Sequence, residues 1–213
     1  AIFGGGLFVY LHDVDSIFLL PGMIILGAVG GALWAAIPAL LKTRFNANEI
    51  LTSLMLVYVA QLILDALVRG PWRNPEGFNF PESRSFHNDA VLPEILFSSG
   101  RAHWGFAFAI IIAIVMWFVL NKTLKGFEVR VMGLSPRAGR FAGFSANKMV
   151  FTSFLIAGGL AGLAGISEVS GAIGQLRPVI SPGYGFTAII VAFLGRLNPL
   201  GIIAAGLILA LSY

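Results

Sequence analysis

The strongest constraint on this chain is its series of long uncharged apolar runs. They cover residues 16–41, 102–121, 149–167, 178–195 and 197–213, and a sixth, 50–68, carries the single acid Asp65. Each is near the roughly 17–25 residues that a helix needs to cross a bilayer. Five or six such runs in 213 residues leave too little polar sequence to cover a soluble globule. Charged residues make up only 11% of the chain and the mean hydropathy is +0.87, against about 25% charged in an ordinary soluble domain. The expected fold is all-α: one polytopic transmembrane helical bundle spanning 1–213, with a broken or re-entrant segment near 168–186. The chain begins at Ala1 without Met and ends inside an apolar run at Tyr213, which suggests a piece of a longer polypeptide.

Charge placement reports topology rather than nucleic-acid binding, because the basic residues lie between apolar runs and form no aromatic-laced stripe. In 121–148, Lys122, Lys125, Arg130, Arg137, Arg140 and Lys148 face one acid, Glu128. Between 69 and 103, Arg69, Arg73, Arg84 and Arg101 are balanced by Glu76, Glu82, Asp89 and Glu94. The positive-inside rule puts 121–148 in the cytoplasm and 69–103 outside, and alternation puts 42–49, with Lys42 and Arg44, inside.

Local signals refine this picture. Residues 1–11 read as the tail of a helix or a short hairpin. Pro21 and Pro38 bend the first full span or mark its limits. Gly27 and Gly31 allow a close helix approach, as does the dense Gly158, Gly159, Gly162, Gly165 series. Asp65 has Arg69 four residues on, which favours a local ion pair over a solute contact. Trp72, Trp104 and Trp117 are candidate interfacial anchors. The proline-rich stretch 70–102 is an external loop long enough to dock a partner. Ser135 can cap, and Pro136 can open, a short basic helix. Alone, such a helix suits an anionic lipid surface better than a protein dock.

Glycine and proline recur in 168–187, where irregular backbone is tolerated only if packed in protein or lining a wet cavity. The solute pathway is expected there, with Glu168, Ser181 and Tyr184 as candidates alongside Asp65. Glu168 either meets solute or pairs with Arg177, since a buried charge needs a partner. The Gly183-Tyr184-Gly185 tripeptide follows Ser181-Pro182 and not Thr-Val, so it does not match a potassium filter. No G-x-x-x-x-G-K-[ST] loop, H-E-x-x-H or G-x-S-x-G occurs. His12, His87 and His103 are scattered. The expectation is therefore no catalytic residue, no metal and no cofactor, with any ATP chemistry done by a partner. Cysteine is absent, so no thiolate site or disulfide is available.

Four ordered blocks, KTRFNANEILTSLMLVYVA (42–60), GFEVRVMGLSPRAGRFAG (126–143), AGLAGISEVSG (161–171) and SPGYGFTAIIVAFLG (181–195), resemble nucleoside and simple-sugar ABC importer permeases. These belong to the broad binding-protein-dependent family that includes ribose and branched-chain amino acid permeases. The resemblance implies a permease subunit working by alternating access. It pairs with a second permease subunit, as homo- or heterodimer, sits on two cytoplasmic ABC ATPases and receives solute from an extracytoplasmic binding protein. It also implies that Pro136, Arg137, Ala138, Gly139, Arg140, Phe141, Ala142 and Gly143 form the coupling helix, which moves the reading of that segment from lipid surface to protein dock. Val57 stands where the family's L-M-L-N-Y block has asparagine, so solute specificity is expected to differ. The rival reading is an ion-gradient-driven secondary transporter. It needs intramembrane acids on several helices, and only Asp65 and Glu168 qualify.

Overall fold

The computed structural model describes residues 1–11, 18–75, 77, 80–87, 90–93, 103–180 and 183–212. Among them the chain forms helices α1 (Ile2–Tyr10), α2 (Leu19–Phe45), α3 (Glu49–Arg69), α4 (Gly105–Lys122), α5 (Leu124–Leu134), α6 (Pro136–Phe141), α7 (Ala146–Glu168), α8 (Tyr184–Leu194) and α9 (Pro199–Ser212). A π-helical turn, Val169–Ile173, continues α7. The all-α polytopic fold expected from the sequence is what is found. Among the described residues, four helices are long and apolar enough to span a membrane: 19–45, 49–69, 105–122 and 146–173. Their flanks carry exposed apolar side chains such as Ile25, Met55, Leu62, Ile111 and Phe118. That exposure is a liability in water and the ordinary condition of a lipid-facing surface.

Several boundaries differ from the sequence reading, each for a local reason. Helix α2 runs on to Phe45, so Lys42 and Arg44 lie in its last turn and not in the connecting loop. At about 1.5 Å per residue its 27 residues outreach the roughly 30 Å apolar slab, leaving room for both cations beyond it. Asn46, in the left-handed region at φ 51°, ends the helix, a conformation asparagine tolerates better than most residues. Asn48 then starts α3 by accepting from the amides of Ile50 and Leu51 at 3.0 and 3.4 Å. Lys42 Nζ lies 2.7 Å from Glu49 across this short turn. Pro38 sits inside α2 rather than at its limit. The run 178–195 yields only the 11-residue α8, because Gly183 at φ 103° stands at its start.

The chain divides into two compact units, Ala1–Gly105 with Val150–Ile180, and Phe106–Met149 with Ser181–Tyr213. In the first, α2 and α7 meet backbone to backbone. A Cβ on Gly31 would stand 2.8 Å from the Gly162 Cα and collide with the Gly158 carbonyl, and one on Gly162 would collide with the Gly27 carbonyl. The glycine spacing thus serves close packing, which in lipid replaces the hydrophobic drive between helices. Helix α1 packs on α2 in the same way: Gly4 faces the Met23 carbonyl and Gly30 faces the Phe3 ring. Phe8, Met23, Val68, Ile166, Val169 and Leu176 are fully enclosed in this unit.

In the second unit, Gly126 is buried because any Cβ there would strike the carbonyls of Val119 and Leu120, so glycine lets α5 turn off the end of α4. Helices α8 and α9 are joined by a turn in which Gly195 abuts the Ile202 amide. Arg196 and Leu197 both take positive φ in that turn, at 54° and 56°.

Candidate functional site

The break after α7 is built by its neighbours in sequence and clamped from the 72–92 loop. Val169–Ile173 adopts a π turn and Gly174 at φ 71° reverses it, with the Gly174 amide donating to the Val169 carbonyl at 2.8 Å. Three loop-to-segment backbone bonds follow: the amides of Ser83, Phe86 and Leu92 donate to the carbonyls of Leu176, Gly174 and Ser170 at 3.0, 2.7 and 2.9 Å. Ser83 closes a reciprocal pair, its Oγ accepting from the Leu176 amide at 2.9 Å. Gln175 Nε2 donates to Glu82 at 2.8 Å, and the Ser85 hydroxyl donates to Gln175 Oε1 at 3.4 Å. Backbone groups freed by the broken helix are thereby satisfied inside the protein, as burial requires.

Aromatic packing completes the clamp. Phe86 stacks on Phe8 with ring centroids 4.5 Å apart. Trp72, read as an interfacial anchor, is 8% exposed: its ring fills the space over Gly6, where a Cβ would stand 2.7 Å from Cη2, and meets Tyr10 edge-on. Small residues on α1 make that slot, which the composition around Trp72 does not reveal. Trp104 is exposed and Trp117 half-buried.

The candidate pathway residues separate clearly. Asp65 is committed to Arg69, whose Nε lies 2.8 and 2.9 Å from its two carboxylate oxygens, as the four-residue spacing suggests. Glu168, the last residue of α7, is half-buried and has no hydrogen bond or ion pair among the described residues. The expected alternative of a Glu168–Arg177 pair is not found. Arg177 lies 3.9 Å from Glu82 instead, because the loop brings that carboxylate to the segment. Tyr184, in the other unit, opens α8 and is exposed. Ser181 lies outside the described residues, as do Glu76, Asp89, Glu94 and Arg101 of the loop. Sequence reasoning missed Glu82, Ser83 and Gln175 as clamp residues, and also Ser170, whose buried hydroxyl, like the Trp72 indole N–H, has no partner among the described residues. The Gly171-Ala-Ile-Gly174 spacing was the available hint, since it marks a turn that some other segment must cover.

The basic segment is constructed the opposite way. Thr123 caps α5, accepting from the Gly126 amide at 3.3 Å, and Lys125 pairs with Glu128 at 2.8 Å. Pro136 occupies the first turn of α6, as its fixed φ favours, but the Ser135 hydroxyl makes no cap bond, contrary to the expected role. The helix is closed at its other end: Gly143 at φ 83° donates to the Arg140 carbonyl at 3.0 Å, and the Phe144 amide donates to Gly139 at 2.9 Å. That double bond pattern is a Schellman motif. Gly139 is buried against Met132, while Pro136, Arg137, Ala138, Arg140, Phe141, Ala142 and Gly143 are exposed, Phe141 to 95%. Neither Arg137 nor Arg140 has a partner among the described residues.

Comparison with known proteins decides the family. The model of the branched-chain amino acid transport system / permease component family matches residues 1–213. The chain belongs to that family. Among its relatives, the glucose ABC transporter permease protein TsgB13 of Haloferax volcanii is 39% identical over 210 residues, covering 94% of this chain and 55% of that protein. The guanosine ABC transporter permease protein NupP of Bacillus subtilis is 33% identical over 203 residues, covering 92% and 57%. The nucleoside ABC transporter permease protein NupB of Lactococcus lactis is 28% identical over 214 residues, covering 92% and 56%. The chain thus spans about half the length of the curated relatives it matches. No solved structure matches it. Membership in this permease family, with four helices among the described residues long and apolar enough to span, makes the chain a multi-pass protein of the cell membrane.

Proposed function

We propose that this chain is the membrane-embedded part of a permease subunit in an ATP-driven importer that moves nucleosides or related sugar-bearing solutes into the cytoplasm. The observation that carries the reading is α6, a helix closed at its C-terminus by a Schellman motif, whose only buried position is Gly139 and whose two arginines and Phe141 face outward without partners among the described residues. A two-turn helix held rigid at the cost of exposing a phenylalanine suits insertion into a partner's cleft, and Arg137 and Arg140 match an acidic rim there. Permease-family membership and relatives named for glucose, guanosine and nucleosides support this reading over an ion-gradient-driven transporter.

In this mechanism ABC ATPases on the cytoplasmic side bind ATP and close, α6 moves with them, and packed helices tilt to open or shut the pathway. The chain itself is non-catalytic. Segment 121–148 faces the cytoplasm and 69–103 the outside, where the clamped loop receives a solute-binding protein, and a second permease subunit completes the pathway. Glu168 contacts solute at the π turn: an unneutralised carboxylate at membrane depth is costly, and solute hydroxyls would satisfy it. Tyr184 and Ser181 are further candidate pathway residues, and Asp65 positions Arg69 at the outer end of α3. The deciding test uses the full-length permease. Arg140→Glu should abolish co-purification of the ATPase while leaving the melting temperature unchanged; retained co-purification would remove α6 from the coupling role. Uptake that survives ATP depletion but collapses with the ion gradient would overturn the importer reading.

A further inference from the structure

The second unit contains a crevice that the coupling and pathway roles leave unused. Its volume is about 220 Å³, and its lining includes Leu120, Asn121, Val129, Arg130, Leu197 and Asn198. That is below the roughly 300–1,000 Å³ of pockets that enclose whole drug-sized ligands.

Its polar lining consists of donors in excess. Arg130 is fixed through one nitrogen, Nη2, which donates to the Leu120 carbonyl at 3.3 Å and to Asn121 Oδ1 at 2.8 Å. Its Nε–H and Nη1 hydrogens have no partner among the described residues. Asn121 Oδ1 is used by that arginine, and its Nδ2 donates to the Trp117 carbonyl at 2.9 Å. Asn198 Oδ1 accepts from the Leu200 amide at 3.1 Å, so its NH₂ remains to be satisfied. No acid lines the crevice among the described residues, and Glu128, two residues before Arg130, is neutralised by Lys125 at 2.8 Å. A pre-oriented guanidinium with spare donors and no competing carboxylate selects an anion.

The position along the helices selects which anion. The apolar α4 ends at Lys122, α8 ends at Leu194 and α9 begins at Pro199, so three apolar helices terminate around this crevice. The ends of apolar helices are where a bilayer would pass from acyl chain to headgroup. Leu120, Val129 and Leu197 supply an apolar wall beside the donors. Leu197 is held at φ 56°, a left-handed conformation that leucine rarely adopts without a shaping demand.

We propose that this crevice seats the phosphate of an anionic phospholipid headgroup, with Arg130 as its principal ligand and Asn198 as a second donor. The site is independent of whether α6 docks an ATPase, because lipid binding needs no partner subunit.

The test is native mass spectrometry of the full-length permease, purified without ATPase, delipidated in neutral detergent and titrated with phosphatidylglycerol or phosphatidylcholine. Phosphatidylglycerol should bind preferentially, and Arg130→Gln should weaken it by about fivefold, the scale of one basic residue at an anionic surface. Arg130→Lys should retain most of the preference. Asn198→Asp keeps a capping oxygen for α9 while placing a negative charge in the crevice, so it should also lose the preference even if Arg130→Gln fails to fold. Equal binding of the two lipids, or a preference indifferent to both variants, would overturn the proposal. Displacement of phosphatidylglycerol by inorganic phosphate would make this a free-phosphate site and overturn the lipid assignment. An intact lipid preference in Arg130→Gln, combined with lost ATPase association in the assembled transporter, would assign the crevice to the protein partner.

Discussion

The clamped break of the first unit and the α5–α6 segment of the second are both irregular, glycine-containing stretches, yet they are stabilised in opposite ways. The break is enclosed: its carbonyls are met by loop amides, and its walls are Phe8, Trp72 and Phe86. The α5–α6 segment is closed by its own caps and presents Leu134, Phe141 and two arginines without partners among the described residues outward. The difference follows from the surroundings. At apolar depth an unmet backbone group costs several kcal/mol, so a broken helix must be covered by protein. A segment in water can leave side chains waiting for a partner. What is self-contained in the first unit is therefore structural, and what is unfinished in the second is available for association.

The sharpest way to break this contrast is glycine replacement in the two places. Gly162→Leu drives a side chain into the Gly27 carbonyl and should cost about 3 kcal/mol or more, read as loss of monodisperse protein in detergent. Gly133→Ala in α5 meets nothing within 4 Å and should be neutral or stabilising by up to about 1 kcal/mol. If both were equally harmful, the enclosed-versus-open distinction would be lost. Next in size, Glu168→Gln should cut solute uptake severely while leaving melting unchanged; unaffected uptake would reduce Glu168 to structure. Glu82→Ala removes the Gln175 and Arg177 contacts and should cost about 1 kcal/mol. Its signature is faster amide exchange at Ser83, Phe86 and Leu176 with none at α5–α6. The smallest effect belongs to Asp65→Asn, about 0.5 kcal/mol or less, because the Asp65–Arg69 pair is exposed and local.

Much of this was legible in the residues. The Asp65–Arg69 pair, the Pro136 start of α6, the broken segment near 168–186 and the close-packing role of the α2 and α7 glycines all rest on contacts a few residues apart or on composition alone. The family resemblance carried by the four blocks agrees with the family found. The misses share a cause. Arg177 is one of two candidate partners for Glu168 in the sequence, on the ground that a buried charge needs a partner, whereas Glu82 reaches it across the fold. Trp72 reads as a candidate interfacial anchor because tryptophan favours that depth, whereas Gly6 opens a slot for it. The shortness of α8 was hidden because hydropathy does not register the backbone reversal at Gly183.

Membrane embedding, four of the apolar runs as helices of spanning length and the asymmetric basic segment were legible in the sequence itself, since the transfer of apolar residues into lipid sums residue by residue along a helix and needs no knowledge of neighbours. The covering of the broken segment was decided only by tertiary structure. Ser83 and Leu176 stand 93 residues apart, and nothing local to either specifies the bond between them. Which donors and acceptors meet at that range depends on how the glycine-lined helices pack. The same is true of the anion-selective crevice, whose arginine becomes a site only when the end of α4 and the α8–α9 turn leave space beside it.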